Sequence, residues 1–286
     1  METDTAGPAN RWLMINKTSG SHREELVADL ATILSDGAPQ PIKVVDCGED
    51  GLPTRRDLEN GQVGTFAVFG GDGSLNYAVK TLEGWGGAIL PLPGGTANLL
   101  CHRLFAECDA RAIMRNYVAG AFERRRFDSV RNDQVLALSE ILAGPGAKWA
   151  DVREELRDRD LIDAATLAAE AISEGWSGPR ILLRDPVLGK DDGYAGVRLS
   201  PQQNGIMVQG YTTDSVMDYL EQGIAILKHD FREGPHDDLG AVAEITCRSE
   251  HDVEIPLMVD GERYDGKPQE RFVLAPLALD LLCPPA

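Results

Sequence analysis

Two glycine-rich segments hold the residues whose types and spacing could do chemistry. The first is Gly70-Gly-Asp-Gly-Ser74 and the second is Pro93-Gly-Gly-Thr96. Each follows a short apolar run, FAVF at 66–69 and AILPL at 88–92, of the kind buried in a parallel sheet. Each also feeds a helical pattern. Leu75, Val79 and Leu82 recur on one helical face, and ANLL at 97–100 opens the next helix. Glycine allows positive φ and lets another group approach the backbone closely. A glycine turn at the head of a helix presents N–H groups and the positive end of the helix dipole, where a phosphate fits. Asp72 is an odd neighbour for an anion unless a cation lies between them. The combination points to nucleotide phosphates bridged by Mg²⁺. The first loop alone reads equally as a plain turn with Asp72 or Ser74 as N-cap; two such loops in tandem favour the phosphate reading.

The elements that must position these loops alternate. A first strand at 12–15 runs into a loop at 16–20. Leu26, Leu30 and Ile33 mark a helix ending near Gly37, and 42–45 is a second strand. Residues 47–62 are rich in glycine, proline and charge, with room for a short helix at 55–58. This alternation predicts a doubly wound α/β domain over residues 1–130, with ligands at the carboxyl ends of the strands. The loops at Asn16, Gly71 and Thr96 would then gather at one edge. No GxxxxGK[ST] occurs, which excludes a P-loop as the phosphate device. A helix is expected over 109–122. The charged run Glu123-Arg-Arg-Arg126 after it is read as a solvated face, in preference to a lipid-headgroup contact.

Past residue 130 the pattern changes. A strand is expected over 135–142 and a helix over 149–174. From residue 180 the hydrophobic period moves toward two, with strands predicted at 180–184, 194–199, 206–209, 241–247, 254–259, 272–275 and 279–282 and a helix at 215–227. This predicts a second, mainly antiparallel β-sandwich domain over 131–286.

Composition sets outer limits. A chain of 286 residues with 43% hydrophobic content can bury one large core or two modest ones. Its net charge of −18 argues against nucleic acid and against simple adsorption to anionic lipid. No run of about twenty apolar residues is present, and residues 1–11 lack the apolar stretch of a signal peptide. Five scattered cysteines without a secretion signal are expected as reduced thiols in a cytoplasmic protein. No CxxC or HxxxH spacing suggests zinc.

The segment GGDGSLNYAVKTL at 70–82, followed by LPLPGGTANLLCHRL at 90–104, resembles the catalytic region of the diacylglycerol kinase family, which includes sphingosine kinases and bacterial lipid kinases. Two further motifs match in order. Ile15-Asn-Lys-Thr-Ser-Gly20 resembles the family's first-strand motif N-P-x-S-G, and Val259-Asp-Gly-Glu262 with 275–284 resembles its closing D-G-E segment and final strand. The resemblance implies an α/β domain of the NAD kinase and phosphofructokinase kind, a β-rich second domain, and an active site in the cleft between them. It implies phosphoryl transfer from ATP to a lipid hydroxyl, a reaction of positioning, charge neutralisation and an activated alcohol. ATP contacts would come from Asn16, Thr18, Ser19 and Gly20 in the first loop, from Gly70, Gly71, Gly73, Ser74 and Asn76 in the second, and from Gly95, Thr96 and Asn98 in the third. Asp72 would act through Mg²⁺, directly or through water. Glu262 would be the general base, its pKa raised in the closed site. As a bare motif, Asp260-Gly261 also reads as a hairpin turn.

The departures from the family pattern are specific. Ser74 replaces a Thr and keeps the hydroxyl. Lys17 replaces a Pro and is expected to add a cation near phosphate. Tyr77 stands where many members carry Glu. Asp214 to Met217 gives only a loose echo of the secondary Mg²⁺ segment, so that site is not carried over. A non-catalytic nucleotide- or lipid-binding relative and an NAD kinase or phosphofructokinase-type enzyme remain as alternatives; the Pro-Gly-Gly-Thr-Ala-Asn element and the short chain favour a lipid kinase. The expected partners are a lipid substrate and a membrane surface visited transiently, with no nucleic acid. Pairing of strands between β domains would allow a homodimer.

Overall fold

A computed structural model of the chain describes residues 9–17, 24–144, 178–212 and 236–285. The chain divides into two compact units. One comprises the chain up to Phe127 together with the segment from Pro276 onward, and the other is Asp128–Ala275. The helices expected at 149–174 and 215–227, and the segment from Asp214 to Met217, lie outside the described residues.

The first unit runs β1 (Asn10–Ile15), α1 (Glu24–Leu34), β2 (Lys43–Asp46), α2 (Arg55–Asn60), β3 (Val63–Gly70), α3 (Asp72–Leu82), β4 (Ala88–Pro93), α4 (Leu99–Leu104), α5 (Ala110–Val118) and β5 (Glu123–Arg125). Strands β1 to β4 pair in parallel in the order β2-β1-β3-β4. The apolar run of β3 is buried throughout, from Phe66 to Phe69, as a central parallel strand requires. The chain moves outward from β1 to β2 and then returns to β3 on the other side. The loops after β1 and β3 therefore flank the point where the strand order reverses, the usual ligand crevice of such sheets. Leu30 and Leu34 are the buried positions of α1. A capping box starts α2: Asp57 N–H donates to the Thr54 hydroxyl, and Thr54 N–H donates to the Asp57 carboxylate at 2.8 Å.

One expectation at the end of this unit needs correction. The helix expected to run to residue 122 stops at Val118, where Gly120 takes φ +76° and turns the chain into β5. The arginine run keeps Arg124 and Arg126 exposed, as a solvated face does, and ties them to neighbouring groups as well. Arg124 donates to the carbonyls of Gly64 and Gly86, Arg125 stacks over the Phe127 ring at 5.0 Å, and Arg126 is bound to Asp280.

The second unit contains β6 (Asp128–Arg131), β7 (Leu136–Ala137), β8 (Ile141–Ala143), β9 (Ile181–Arg184), β10 (Gly196–Gln202), β11 (Gly205–Tyr211), β12 (Asp237–Val242), β13 (Glu244–Ser249), β14 (Ile255–Val259), β15 (Glu262–Gly266) and β16 (Gln269–Pro276). One sheet has the order β12-β11-β10-β8-β14-β15 and is antiparallel throughout. The other has the order β7-β6-β16-β13-β9. Val130, Ile245 and Phe272 of the second sheet share one buried core with Leu199, Ile206 and Leu257 of the first. Two expected strands are divided. The strand at 135–142 is interrupted where the amides of Leu138, Ser139 and Glu140 turn to the Asp260 carboxylate. The strand at 241–247 breaks at Ala243, where the chain leaves one sheet for the other.

The last strand, β17 (Asp280–Cys283), was expected with the second domain. It instead lies between β4 and β5, parallel to the first and antiparallel to the second, and completes the first unit's sheet as β2-β1-β3-β4-β17-β5. Leu279 and Leu281 are fully buried there.

Candidate active site

The two glycine loops meet at the carboxyl ends of β3 and β4, where Gly70 is in register with Pro93. Gly94 N–H donates to Gly70 C=O at 3.0 Å. Beyond that bond the loops press backbone on backbone. A Cβ on Gly95 would sit 2.6 Å from Gly71 Cα, and one on Gly94 would sit 2.8 Å from Gly70 N. None of Gly70, Gly71, Gly94 and Gly95 has positive φ. Of the two uses of glycine expected from the sequence, close approach is the one realised, and its first object is the other loop.

Asn98 is the left-handed residue of the second loop, at φ +48°. Its side chain closes the turn: Oδ1 accepts Gly95 N–H and Nδ2 donates to Gly95 C=O, both at 2.8 Å. Asn tolerates this backbone region because its short side chain bonds locally. Thr96, at the tip of this loop, is exposed.

Asp72 begins α3, and the N-cap is Gly71 rather than Asp72 or Ser74. The Asp72 carboxylate is buried and accepts the Leu100 N–H at 3.2 Å, which ties the start of α3 to the first turn of α4. A carboxylate here is favoured by the positive end of its own helix. The first-turn N–H groups of α3 have no carbonyl partner within the helix. Gly73 and Ser74 lie in that turn, half-buried, while Asn76 is buried on the helix face beyond it. Tyr77 points outward, 60% exposed.

In the first loop, Asn16 is half-buried directly after β1, while Thr18, Ser19 and Gly20 lie outside the described residues. Lys17 does not stand as a cation awaiting phosphate. Its Nζ is paired with Asp46 at 3.2 Å and with Glu49 at 3.3 Å, and these bonds hold its pKa above the ordinary lysine value. Burial alone would push the Asp46 carboxyl up, but hydrogen bonds from Gly48 and Lys17 outweigh it and leave Asp46 below the usual range.

Glu262 is exposed and opens β15, opposite Val259 on β14. Asp260 and Gly261 form the two-residue turn, at φ +48° and +88°. The hairpin reading of Asp-Gly is therefore correct as structure. No local motif points to what Asp260 does beyond the turn. It is 2% exposed, and its carboxylate accepts N–H bonds from Leu138 at 2.7 Å, Ser139 at 2.8 Å and Glu140 at 2.9 Å. Glu140 in turn binds Arg198 at 2.8 Å. The turn that precedes Glu262 is thus anchored through Asp260, whose partners lie far away along the chain.

Comparison with known proteins bears on this region. Residues 10–129 match the family model of the diacylglycerol kinase catalytic domain. Similar solved structures include a proposed diacylglycerol kinase from Bacillus anthracis str. Sterne, 13% identical, covering 100% of this chain and 99% of that one with a TM-score of 0.67. Another, a diacylglycerol kinase from the same organism, is 13% identical over 97% of both chains with a TM-score of 0.64. At such identity the likeness is one of fold. No curated protein matches the chain. The likeness to the diacylglycerol kinase catalytic domain rests on residues 10–129, which hold both glycine loops.

Proposed function

We propose that this protein is an ATP-dependent lipid kinase that transfers the γ-phosphate to a hydroxyl of a diacylglycerol- or sphingoid-type lipid. The observation that carries the reading is the pair of glycine loops locked together at the strand ends, with Asp72 buried between two helix starts, inside the matched catalytic domain. The fold reading belongs with it: a doubly wound nucleotide domain of the NAD kinase and phosphofructokinase kind, followed by a β-sandwich.

Each residue has a role in this proposal. The first-turn amides of α3, including those of Gly73 and Ser74, bind phosphate oxygens, with Thr96 and Asn16 on the flanking loops. The donor set suits Mg²⁺ in that Asp72 offers one hard carboxylate at the start of α3, beside the amides proposed to bind phosphate. Bound there, Mg²⁺ would neutralise charge on the phosphate chain. Glu262 is proposed as the base that takes the proton from the lipid alcohol. The lipid is presented by a membrane surface visited transiently.

The test is transfer of label from radiolabelled ATP over a panel of diacylglycerol, sphingoid bases and ceramide in mixed micelles, with NAD and fructose 6-phosphate as non-lipid acceptors. Label is expected in a lipid, and Glu262→Gln is expected to lower turnover at least roughly 10²-fold. Label in NAD or fructose 6-phosphate overturns the lipid assignment. The exposed Tyr77, where many members of the family carry Glu, favours a second reading, a binding protein without turnover. Label in no acceptor, with nucleotide still bound, would support it.

A further inference from the structure

Strand β8 begins at Ile141, and its ladder to β10 ends there, with Leu199 opposite Ile141. Glu140 lies one residue beyond that ladder, inside the 138–140 bend. It is gripped from two sides. Toward β14, its N–H donates to the Asp260 carboxylate at 2.9 Å, and its C=O accepts the Asp260 N–H at 3.0 Å. Toward β10, its carboxylate accepts Arg198 Nε–H at 2.8 Å. The Glu140 side chain is only 6% exposed. A carboxylate so buried is costly unless a cation and a hydrogen bond meet it, and Arg198 supplies both. Arg198 is itself oriented from the next two strands. Its Nη1 donates to Gln209 Oε1 on β11 at 3.3 Å, and Gln209 Nε2 donates to Asp238 on β12 at 2.9 Å.

We propose that Arg198 and Glu140 are positioning residues for the phosphoryl transfer: their ion pair fixes the bend that clamps Asp260, and so holds Glu262 where it can take the proton from the acceptor alcohol.

This role rests on the reading of Glu262 as the base. Glu262 is exposed at the start of β15, two residues after Asp260. A general base must lie within hydrogen-bond reach of the proton it takes, so the turn that carries it cannot drift. The shape of that turn is local, from Asp260 at φ +48° and Gly261 at φ +88°. Shape alone does not fix where the turn sits against the sheet. The bonds between Asp260 and the bend do that on the β14 side. On the β10 side the ladder has stopped, and the Arg198–Glu140 pair takes over. Loss of Arg198 leaves the Glu140 carboxylate buried and uncompensated. The bend is then expected to shift so that water reaches Glu140, and Asp260 and Glu262 move with it.

The test makes Arg198→Met in the parent and in Glu262→Gln, using the full chain, radiolabelled ATP and whichever lipid of the panel above takes label. Acting through Glu262, the substitution lowers kcat roughly tenfold in the parent with KM for ATP unchanged, and changes kcat less than about twofold once Glu262 is replaced. A merely structural role costs the same factor in both backgrounds, and that result overturns the proposal. Arg198→Lys keeps the charge and is expected to recover most of the loss. Amide exchange followed by NMR gives a reading independent of turnover. The N–H groups of Leu138, Ser139 and Glu140 should exchange roughly tenfold faster in Arg198→Met, while those of β13 keep their rates. Unchanged exchange at 138–140 overturns the proposal even if turnover falls. If Arg198→Met does not fold, Glu140→Gln, which keeps an oxygen for Nε–H but not the charge, is judged by the same two criteria. Absence of any phosphoryl transfer in the parent counts against the kinase reading and removes the catalytic half of the proposal, while faster exchange at 138–140 would still show that the pair holds the turn.

Discussion

The carboxylate of Asp72 accepts the Leu100 N–H and, in the proposed reaction, also faces the nucleotide's cation. Two substitutions separate these duties. Asp72→Asn keeps an acceptor for the amide and removes the charge. It should lower turnover at least roughly 10²-fold with a melting temperature close to that of the parent. Asp72→Ala also orphans the amide and should cost about 1–2 kcal/mol of stability in addition. Turnover and thermal melts on both variants decide it; equal turnover in Asp72→Asn and the parent would reduce Asp72 to a structural tie. Asp260 makes the contrast, since its carboxylate serves three amides of the 138–140 bend. Asp260→Ala leaves those donors without their acceptor and should destabilise the protein by roughly 3 kcal/mol or more, read as a lower denaturant midpoint.

At the scale of elements, the loops after β3 and β4 behave as one object. Gly95→Ala would put a Cβ 2.6 Å from Gly71 Cα, a backbone atom that cannot swing aside. Separating the loops should cost about 1–3 kcal/mol and reduce turnover with it. Gly86→Ala is the control. That position has nothing within 4 Å of a new Cβ and no positive φ, so a change within about 0.5 kcal/mol is expected from chemical denaturation. Equal effects of the two substitutions would deny that loop contact matters. The β14–β15 hairpin shows a related division. Its turn geometry comes from Asp-Gly, while its anchoring comes from the bend between β7 and β8.

At the scale of the molecule, the chain leaves the first unit at Phe127 and returns to it at Pro276. A cut at residue 130, where the sequence suggests a domain boundary, would remove β17 from between β4 and β5. The fragment 1–130 would expose the edge of β4, an unpaired strand of the kind that aggregates. It should be insoluble or lack a cooperative melt, whereas the full chain should melt cooperatively. A soluble, cooperatively folding fragment would show that β17 is dispensable. Among the described residues no helix is long and apolar enough to cross a membrane.

Much of the nucleotide-side fold was legible because its signals are local. Apolar runs, glycine loops and helical spacing placed β3, α3 and β4 to within a few residues, and the order of four motifs pointed to the family. Turn chemistry was local too, as Asp260-Gly261 shows. What the sequence could not decide was partnership at long range. Alternation marks a strand but not its sheet, so β17 was assigned to the wrong unit and the 241–247 strand was not divided. A lysine in a phosphate loop reads as a free cation until the fold sets Asp46 and Glu49 beside it. Asp72 meeting Leu100 and Asp260 meeting 138–140 are likewise decided only when the backbone brings separate segments together. Residue type and spacing determine what chemistry is possible. Burial and partner, which exist only in three dimensions, determine which carboxylates are already engaged.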